Sequence, residues 1–267
     1  MTEKHEDEEK LEVEKDVITE IPEIEAETKP QIKTDVEKWT PKTELGKKVK
    51  AGEITNIDQI LDAGMPILEE QIVDMLLPNT QSELLMIGQS KGKFGGGSRR
   101  IFKQTQKKTP EGNKPSFACM AVTGNSDGYV GIGYGKSKDT VPAREKAIRN
   151  SKLNIFKIRR GAGSWEDATS EPHSIPWAVE GKCGSIRITL MPAPKGKGLV
   201  IEKECAKILK LAGIENVYSK TRGQTRAKSN MIEACIKALK QMSAFRPRPE
   251  HIKNAFMIEG RKPGAKQ

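Results

Sequence analysis

Three observations predict an α+β protein built from two small sheet-and-helix domains. Residues 84–160 read as strands followed by one long helical pattern, and a similar mixture of strands and helices recurs in residues 172–243. Gly124-Asn125-Ser126-Asp127-Gly128 separates two apolar runs, as the turn of an antiparallel pair does, because Asn, Asp and Gly tolerate positive φ. A chain of 267 residues is long enough for two such domains.

The elements follow in order. Residues 1–38 are Glu-rich, poor in aromatics and without periodicity, and are expected to be a disordered acidic tail. Residues 39–83 read as a helical arm without a core of its own. Its helices are carried by Glu44 to Val49, by Ile57, Ile60 and Leu61, and by Glu69 to Leu77, which Pro78 ends. In the first domain, strands are expected at Arg99–Lys108, Phe117–Thr123 and Tyr129–Tyr134. A helix over Asp139–Phe156 should turn Val141, Ala147, Ile148 and Ile155 inward and Arg144, Lys146, Arg149 and Lys152 outward. The second domain should open with a hairpin of Ile175–Glu180 and Ser185–Met191 around Gly181-Lys182-Cys183-Gly184. A short strand at Leu199–Ile201, a helix over Glu202–Ala212 ended by Gly213, a strand at Asn216–Ser219 and a helix over Lys228–Met242 complete it. Residues 244–267 read as a basic, Pro-rich tail, unfolded when alone.

Charge points to the partner. Residues 1–38 hold 14 Asp/Glu and 6 Lys/Arg, whereas the remainder holds 40 basic and 22 acidic residues, a balance of +18. A body so positive repels itself and is relieved by a polyanion, which favours nucleic acid. No stretch approaches the roughly 18 apolar residues needed to span a bilayer, and the polar N-terminus is no secretory signal, so a cytoplasmic protein is expected. Cys119, Cys183, Cys205 and Cys235 contain no Cys-x-x-Cys pair, so no metal is expected, and each reads as a small core residue in a reducing compartment.

Catalysis finds no support. Gly131-Ile132-Gly133-Tyr134-Gly135-Lys136-Ser137 stands where a phosphate-binding loop would. A P-loop, however, needs a glycine five residues before Gly135, and Val130 occupies that place. The glycines instead suit close packing of a strand. The helix start after them offers free N–H groups beside Lys136 and Lys138, which suit a backbone phosphate. His173 lies in a folded segment without an evident nucleophile partner. No cofactor and no catalytic residue are expected.

The RNA-binding candidates are cations in loops and turns. They are Lys91 and Lys93, Arg99 and Arg100, Lys103, Lys107 and Lys108, Lys114, Lys136 and Lys138, Arg159 and Arg160, Lys195 and Lys197, and Lys220, Arg222, Arg226 and Lys228. Gly92-Lys93-Phe94-Gly95-Gly96-Gly97-Ser98-Arg99-Arg100 stands out, since ordering so flexible a run implies a partner. Aromatics make up 4% and form no stacking cluster, so recognition should rest on phosphates, 2′-hydroxyls and RNA shape.

The run Gly124 to Lys136 resembles the signature of the universal fifth protein of the small ribosomal subunit. Arg159-Arg160-Gly161-Ala162-Gly163-Ser164-Trp165-Glu166, Pro172-His173-Ser174-Ile175-Pro176, Gly181-Lys182-Cys183-Gly184-Ser185, Pro192 to Gly198 and Leu211-Ala212-Gly213-Ile214-Glu215 agree with it in order. The Gly-Ser-Trp-Glu and Pro-His-Ser-Ile-Pro stretches are similar to the archaeal or eukaryotic form, and the short C-terminus favours the archaeal. The resemblance implies a double-stranded-RNA-binding-like N-terminal domain and a second domain with a left-handed βαβ crossover, an exception to the usual hand. It also implies partners: small-subunit ribosomal RNA, messenger RNA along the path by which it enters, and the neighbouring small-subunit proteins three, four and eight, with an influence on decoding accuracy. By that likeness Arg99 to Lys114 lies nearest the RNA. Two departures stand out. The Gly-rich segment from Gln89 to Arg100 is longer than the family pattern, and Glu111-Gly112-Asn113-Lys114-Pro115-Ser116 replaces an Arg-rich turn. The competing readings are a stand-alone double-stranded-RNA-binding or chaperone module and, third, an enzyme.

Overall fold

The computed structural model describes residues 39–92, 97–167, 169 and 171–261. The expected acidic tail, Lys93 with the centre of the glycine run, and residues 262–267 lie outside them. The described residues from Thr40 onward are one unit by contact.

Helix α1 (Glu44–Lys50) starts because the Thr43 hydroxyl accepts from the Gly46 N–H at 3.0 Å, satisfying one orphan donor of the first turn. The Glu69 carboxylate accepts from the Lys42 and Thr43 N–H groups at 2.9 and 2.7 Å and ties this start to the third helix of the arm. Helices α2 (Ile57–Asp62) and α3 (Glu70–Leu76) bury Ile57, Ile60, Ile72 and Val73. The arm therefore packs by an apolar face, as its pattern implied. Strand β1 (Gln81–Leu85) then enters the first sheet.

That sheet orders β1, β3 (Gly112–Gly124), β4 (Tyr129–Ser137) and β5 (Ile155–Lys157), with β2 (Lys103–Thr109) pairing β3 beyond β1. Helix α4 (Thr140–Leu153) covers one face, burying Ala143, Ala147 and Ser151. A methyl group added to Gly135 would lie 2.1 Å from the Ala143 carbonyl oxygen, far inside contact. The glycines of β4 thus let strand and helix backbones meet, as their spacing suggested. Two expectations about this helix need correction. It stops at Leu153, and Ile155 and Phe156 pair with Gly131 and Val130 as β5. Val141, expected inward, is 63% exposed, because the buried stripe is made of small residues one turn apart rather than of the largest apolar ones. Lys152, expected outward, is mostly buried and reaches Asp74 of α3 at 2.8 Å, and burial is the main cause raising the Asp74 pKa.

The second sheet orders β7 (Val179–Cys183), β8 (Ile186–Pro192), β10 (Val217–Arg222) and β9 (Leu199–Val200), with β9 parallel to β10. A parallel neighbour requires a crossover, which α5 (Lys203–Leu211) supplies. Glu202 caps α5 by accepting from the Glu204 and Cys205 N–H groups, and Gly213, at φ +78, ends it. Helix α6 (Lys228–Ala244) packs on β7, where a methyl group on Gly181 would meet the Ala234 carbonyl oxygen at 2.0 Å. The hairpin turn is therefore Gly184-Ser185, and Gly181 to Cys183 remain strand rather than turn. One apolar cluster joins both sheets, linking Leu85, Met120, Val122 and Val130 to Ile188, Ile208, Leu209 and Leu239.

The C-terminal segment departs from the unstructured tail its composition suggested. Helix α7 (Pro249–Asn254) follows Arg248, and β11 (Ile258–Glu259) pairs antiparallel with β6 (Arg159–Arg160). Body hydrogen bonds outweigh its polar character: Ala162 N–H donates to Ala255 and Gly260 N–H to Ile158, at 2.8 and 3.1 Å.

Because Gly181 and Gly135 are sites of backbone contact, replacing either with Ala should cost about 3 kcal/mol. Gly196, at φ +88 with nothing within 4 Å, should lose only about 1 kcal/mol from backbone strain. Urea unfolding of the three variants checks this ranking.

Candidate RNA-binding surface

Strand β2 pairs with β3 from Lys103↔Ala118 to Thr109↔Gly112, whereas β4 joins β3 only from Phe117 onward. Residues 103–116 therefore form a two-stranded ribbon projecting past the sheet, closed by Pro110-Glu111 and by Gly112 at φ +117. Alternation places Lys103, Thr105 and Lys107 on one face with Lys114 and Ser116, and the Thr105 and Ser116 hydroxyls meet at 2.9 Å. Gln104, Gln106, Lys108 and Asn113 line the other face, and nearly all of the ribbon is exposed. An isolated polar hairpin is marginal in water, and directly opposed Lys107 and Lys114 repel. Lys114 also reaches Glu111 at 3.1 Å, but at 64% and 79% exposure that pair is weak. The ribbon lacks a buried face of its own, and an anion would relieve its charge.

At the base of the ribbon, residues 88–91 pair with residues 98–100. Gly88 N–H donates to Arg100, Arg100 N–H to Gln89 and Lys91 N–H to Ser98, at 2.8 to 3.1 Å. Arg99 acts as a staple here, since its Nη2 donates to the Arg226 carbonyl at 2.8 Å. Arg100 and Lys91 are exposed. A cleft of about 780 Å³ between this neck, the ribbon base and the start of α6 gathers Lys91, Arg99, Arg100, Lys103 and Lys228. Lys228 is held by Glu202 at 2.8 Å.

The register Lys103–Ala118–Lys136 sets Lys136 on the same sheet face as Lys103, Lys107 and Lys114. Lys136 and Lys138 are exposed, and Asp139 makes no side-chain cap on α4. Lys220, Arg222 and Arg226 are exposed at the end of β10 and in the loop after it. Arg187, which charge clustering had missed, pairs across the sheet with Arg222 and adds to this patch. Only the folded register could have revealed it.

Two of the expected contacts are structural instead. Arg160 is 2% exposed, and its Nη2 donates to Asp127 at 2.7 Å and to the Gly260 carbonyl at 2.9 Å. Arg159 is largely buried, donating to Glu259 at 3.2 Å and to the carbonyls of Met242 and Phe245. Both arginines are consumed by the returning C-terminal segment, whose pairing no local pattern announced. Lys195 is exposed but bound to Glu171 at 2.6 Å, and that hydrogen bond, with the charges of Glu171, Glu215 and Asp167, raises its pKa. It therefore sits among carboxylates, whereas Lys197 beside it is exposed and unpaired among the described ion pairs.

Nothing assembled here resembles a catalytic group. His173 is buried, with Nε2 on Asp167 and Nδ1 3.0 Å from the Asn216 amide, so neither ring nitrogen is left for a nucleophile. Among the described residues no His, Cys, Asp and Glu cluster could hold a metal, and no helix is long and apolar enough to cross a membrane. Cys119, Cys205 and Cys235 are buried core residues, while Cys183 is half-exposed and contacts Glu233.

Two helix-covered sheets with a shared core and a projecting basic ribbon define an α+β protein with an exposed cationic surface and, among the described residues, no assembled catalytic site. Comparison with known proteins narrows that class. Residues 101–159 match the ribosomal protein S5 N-terminal domain, and residues 181–252 match the ribosomal protein S5 C-terminal domain. Small ribosomal subunit protein uS5 of Nanoarchaeum equitans is 49% identical over 226 residues, covering 85% of this chain and 97% of that protein. The uS5 of Methanocaldococcus jannaschii is 42% identical over 227 residues, covering 85% and 98%. That of Thermofilum pendens is 44% identical over 207 residues, covering 78% and 95%. The chain belongs to the ribosomal protein S5 family.

Arg160→Ala should lower stability by about 3 kcal/mol, because the buried bonds to Asp127 and to the Gly260 carbonyl are both lost. Urea unfolding reads that loss. RNA affinity measured below the unfolding range should keep the same dependence on salt.

Proposed function

We propose that the protein is a structural, RNA-binding constituent of the small ribosomal subunit, located with the ribosome in the cytoplasm. The observation that carries this reading is the two-faced basic ribbon, continued by Arg100, Lys91 and Lys136, on a chain whose relatives are named as small-subunit proteins. Its contacts are to phosphate and sugar, which position a protein on RNA without reading bases. Catalysis has no part in the function, in keeping with the family.

The finer points rest on the family likeness. The first domain is proposed to be double-stranded-RNA-binding-like, a reading supported by the succession β2, β3, β4 and α4, and the β9-α5-β10 crossover is proposed to be left-handed. The ribbon is proposed to lie beside the path by which messenger RNA enters, with small-subunit proteins three, four and eight as neighbours and decoding accuracy as the property affected. Lys91, Arg100, Lys103, Lys107, Lys108, Lys114, Lys136 and Lys138 are the proposed phosphate contacts, with Lys197, Lys220, Arg222 and Arg226 as a second group.

Each phosphate contact releases counterions, giving a slope of log K against log salt of about −0.7 to −0.9 per contact. Changing Lys103, Lys107, Lys108 and Lys114 together to Ala should flatten the slope for a small-subunit RNA fragment by about 2 to 3 units, with little change in sequence preference. Binding titrations at several salt concentrations check it. An unchanged slope would remove the ribbon from the RNA-binding surface.

A further inference from the structure

Helices α5 and α6 cover one face of the second sheet, where Ile186, Ile188, Leu190 and Val217 are buried. Alternation turns the intervening side chains to the opposite face, and every one of them is at least partly exposed. The strand register gives this open face two unlike ends. At one end Tyr218 lies between Val200 of β9 and Met191 of β8. At the other, Arg222 lies opposite Arg187, and Arg187 opposite Lys182. Lys220 stands between the ends, across Thr189 from Glu180.

A merely solvated face intersperses both signs of charge, and this one does not. Four cations share it with a single carboxylate, Glu180, whose 4.0 Å pair with Arg187 is weak at 57% and 53% exposure. The row Arg222–Arg187–Lys182 sets like charges directly opposite across two strand pairs, a cost that a polyanion removes. Tyr218 narrows the kind of polyanion. It is half-buried beside its aliphatic neighbours, of which Val200 is 51% exposed, so the ring is held in place and still partly open. A duplex keeps its bases stacked inside and offers such a ring nothing, whereas an unpaired base has a free face to lay on it. Position agrees. Beyond Arg222 the loop carries Arg226, whose carbonyl accepts from Arg99 at the neck of the ribbon, so the cationic end continues the surface described above. Tyr218 and Arg222 lie about 13 Å apart along β10, which leaves a base at one end and the phosphates that follow it over the cations.

We propose that the open face of the second sheet is a platform for single-stranded RNA, on which an unpaired base stacks against Tyr218 while the adjoining phosphates meet Lys220, Arg222, Arg187 and Lys182. The inference rests on the RNA-binding reading and adds to it a base contact that selects single strands and tolerates any sequence.

The test measures binding of the full chain to a short oligouridine and to a short RNA duplex. The single strand is measured in a background with Lys103, Lys107, Lys108 and Lys114 changed to Ala, so that the ribbon does not mask the sheet. There Tyr218→Leu, which keeps apolar bulk beside Val200 and Met191, should lower oligouridine affinity about tenfold. Its salt slope should not change, because a stack releases no counterion, whereas Arg187→Ala with Arg222→Ala should flatten the slope by about 1 to 1.5 units. Tyr218→Phe should bind as the unsubstituted chain does, and duplex binding with the ribbon intact should be indifferent to Tyr218→Leu. Oligouridine affinity unmoved by Tyr218→Leu, the result expected if a protein segment occupies this face, would overturn the proposal. So would an equal loss in Tyr218→Phe, or an equal loss for the duplex. Failure of the unsubstituted chain to bind either RNA would instead contradict the RNA-binding reading, and the proposal with it.

Discussion

On the face of β4 that meets α4, Gly131, Gly133 and Gly135 offer no side chain, and Ser151, Ala147 and Ala143 are the helix residues that fill the gap. The rest of the first lobe depends on this seam. A methyl group on any of the three glycines would fall within about 2.2 Å of a helix carbonyl oxygen, so the backbones themselves are in contact. Register follows, because a shift of one residue would drive Ile132 or Tyr134 into the helix. With that register fixed, Lys136 must emerge on the opposite face, in line with Lys103 of the ribbon. The same alternation turns Met120 and Val122 toward the core shared with α5. Close packing on one side of β4 thus decides what the other side presents.

Polar pairs then bind the chain ends to this frame. The Tyr129 phenol donates to Asp58 of α2 at 2.8 Å, and burial, reinforced by that carboxylate, pushes the phenol pKa up and keeps it protonated. Lys157 pairs with Asp62 and with Glu259, and Arg160 joins Asp127 to the Gly260 carbonyl. Helical arm, first sheet and C-terminal segment meet at these groups. The positive charge of the body is accordingly of two kinds. Arg159, Arg160, Lys152 and Lys157 are part of the fold, whereas the ribbon cations have almost no partners within the chain. Only the second kind is available to a polyanion.

Much of this was legible before folding. The Asn125 to Gly128 turn, the Gly213 stop of α5 and the amphipathic face of α6 each follow from local chemistry, and the structure places them close to where the pattern did. What escaped was set by distant contacts. Val141 is large and apolar yet exposed, because packing against glycines selects small residues, which hydropathy underweights. Ile155 continues a helical pattern but pairs with Gly131, which becomes its neighbour only once the sheet forms. The paired arginines at 159 and 160 look like an RNA contact from charge alone, since their acceptors come from residues 127 and 242–260. The exposure of the ribbon lysines was legible, since a strand of Lys, Gln and Thr has no apolar face to bury.

The account stands on the ribbon lying against RNA, and directed hydroxyl-radical cleavage tests this most directly. A Cys183→Ser background leaves only buried thiols, so iron chelate can be tethered singly at Glu111→Cys on the ribbon turn or at Glu145→Cys on the exposed side of α4. In assembled small subunits, the probe at position 111 should cut ribosomal RNA strongly at a few clustered nucleotides, and the probe at 145 more weakly and elsewhere. Absence of RNA cleavage from position 111, with normal assembly, would contradict the account.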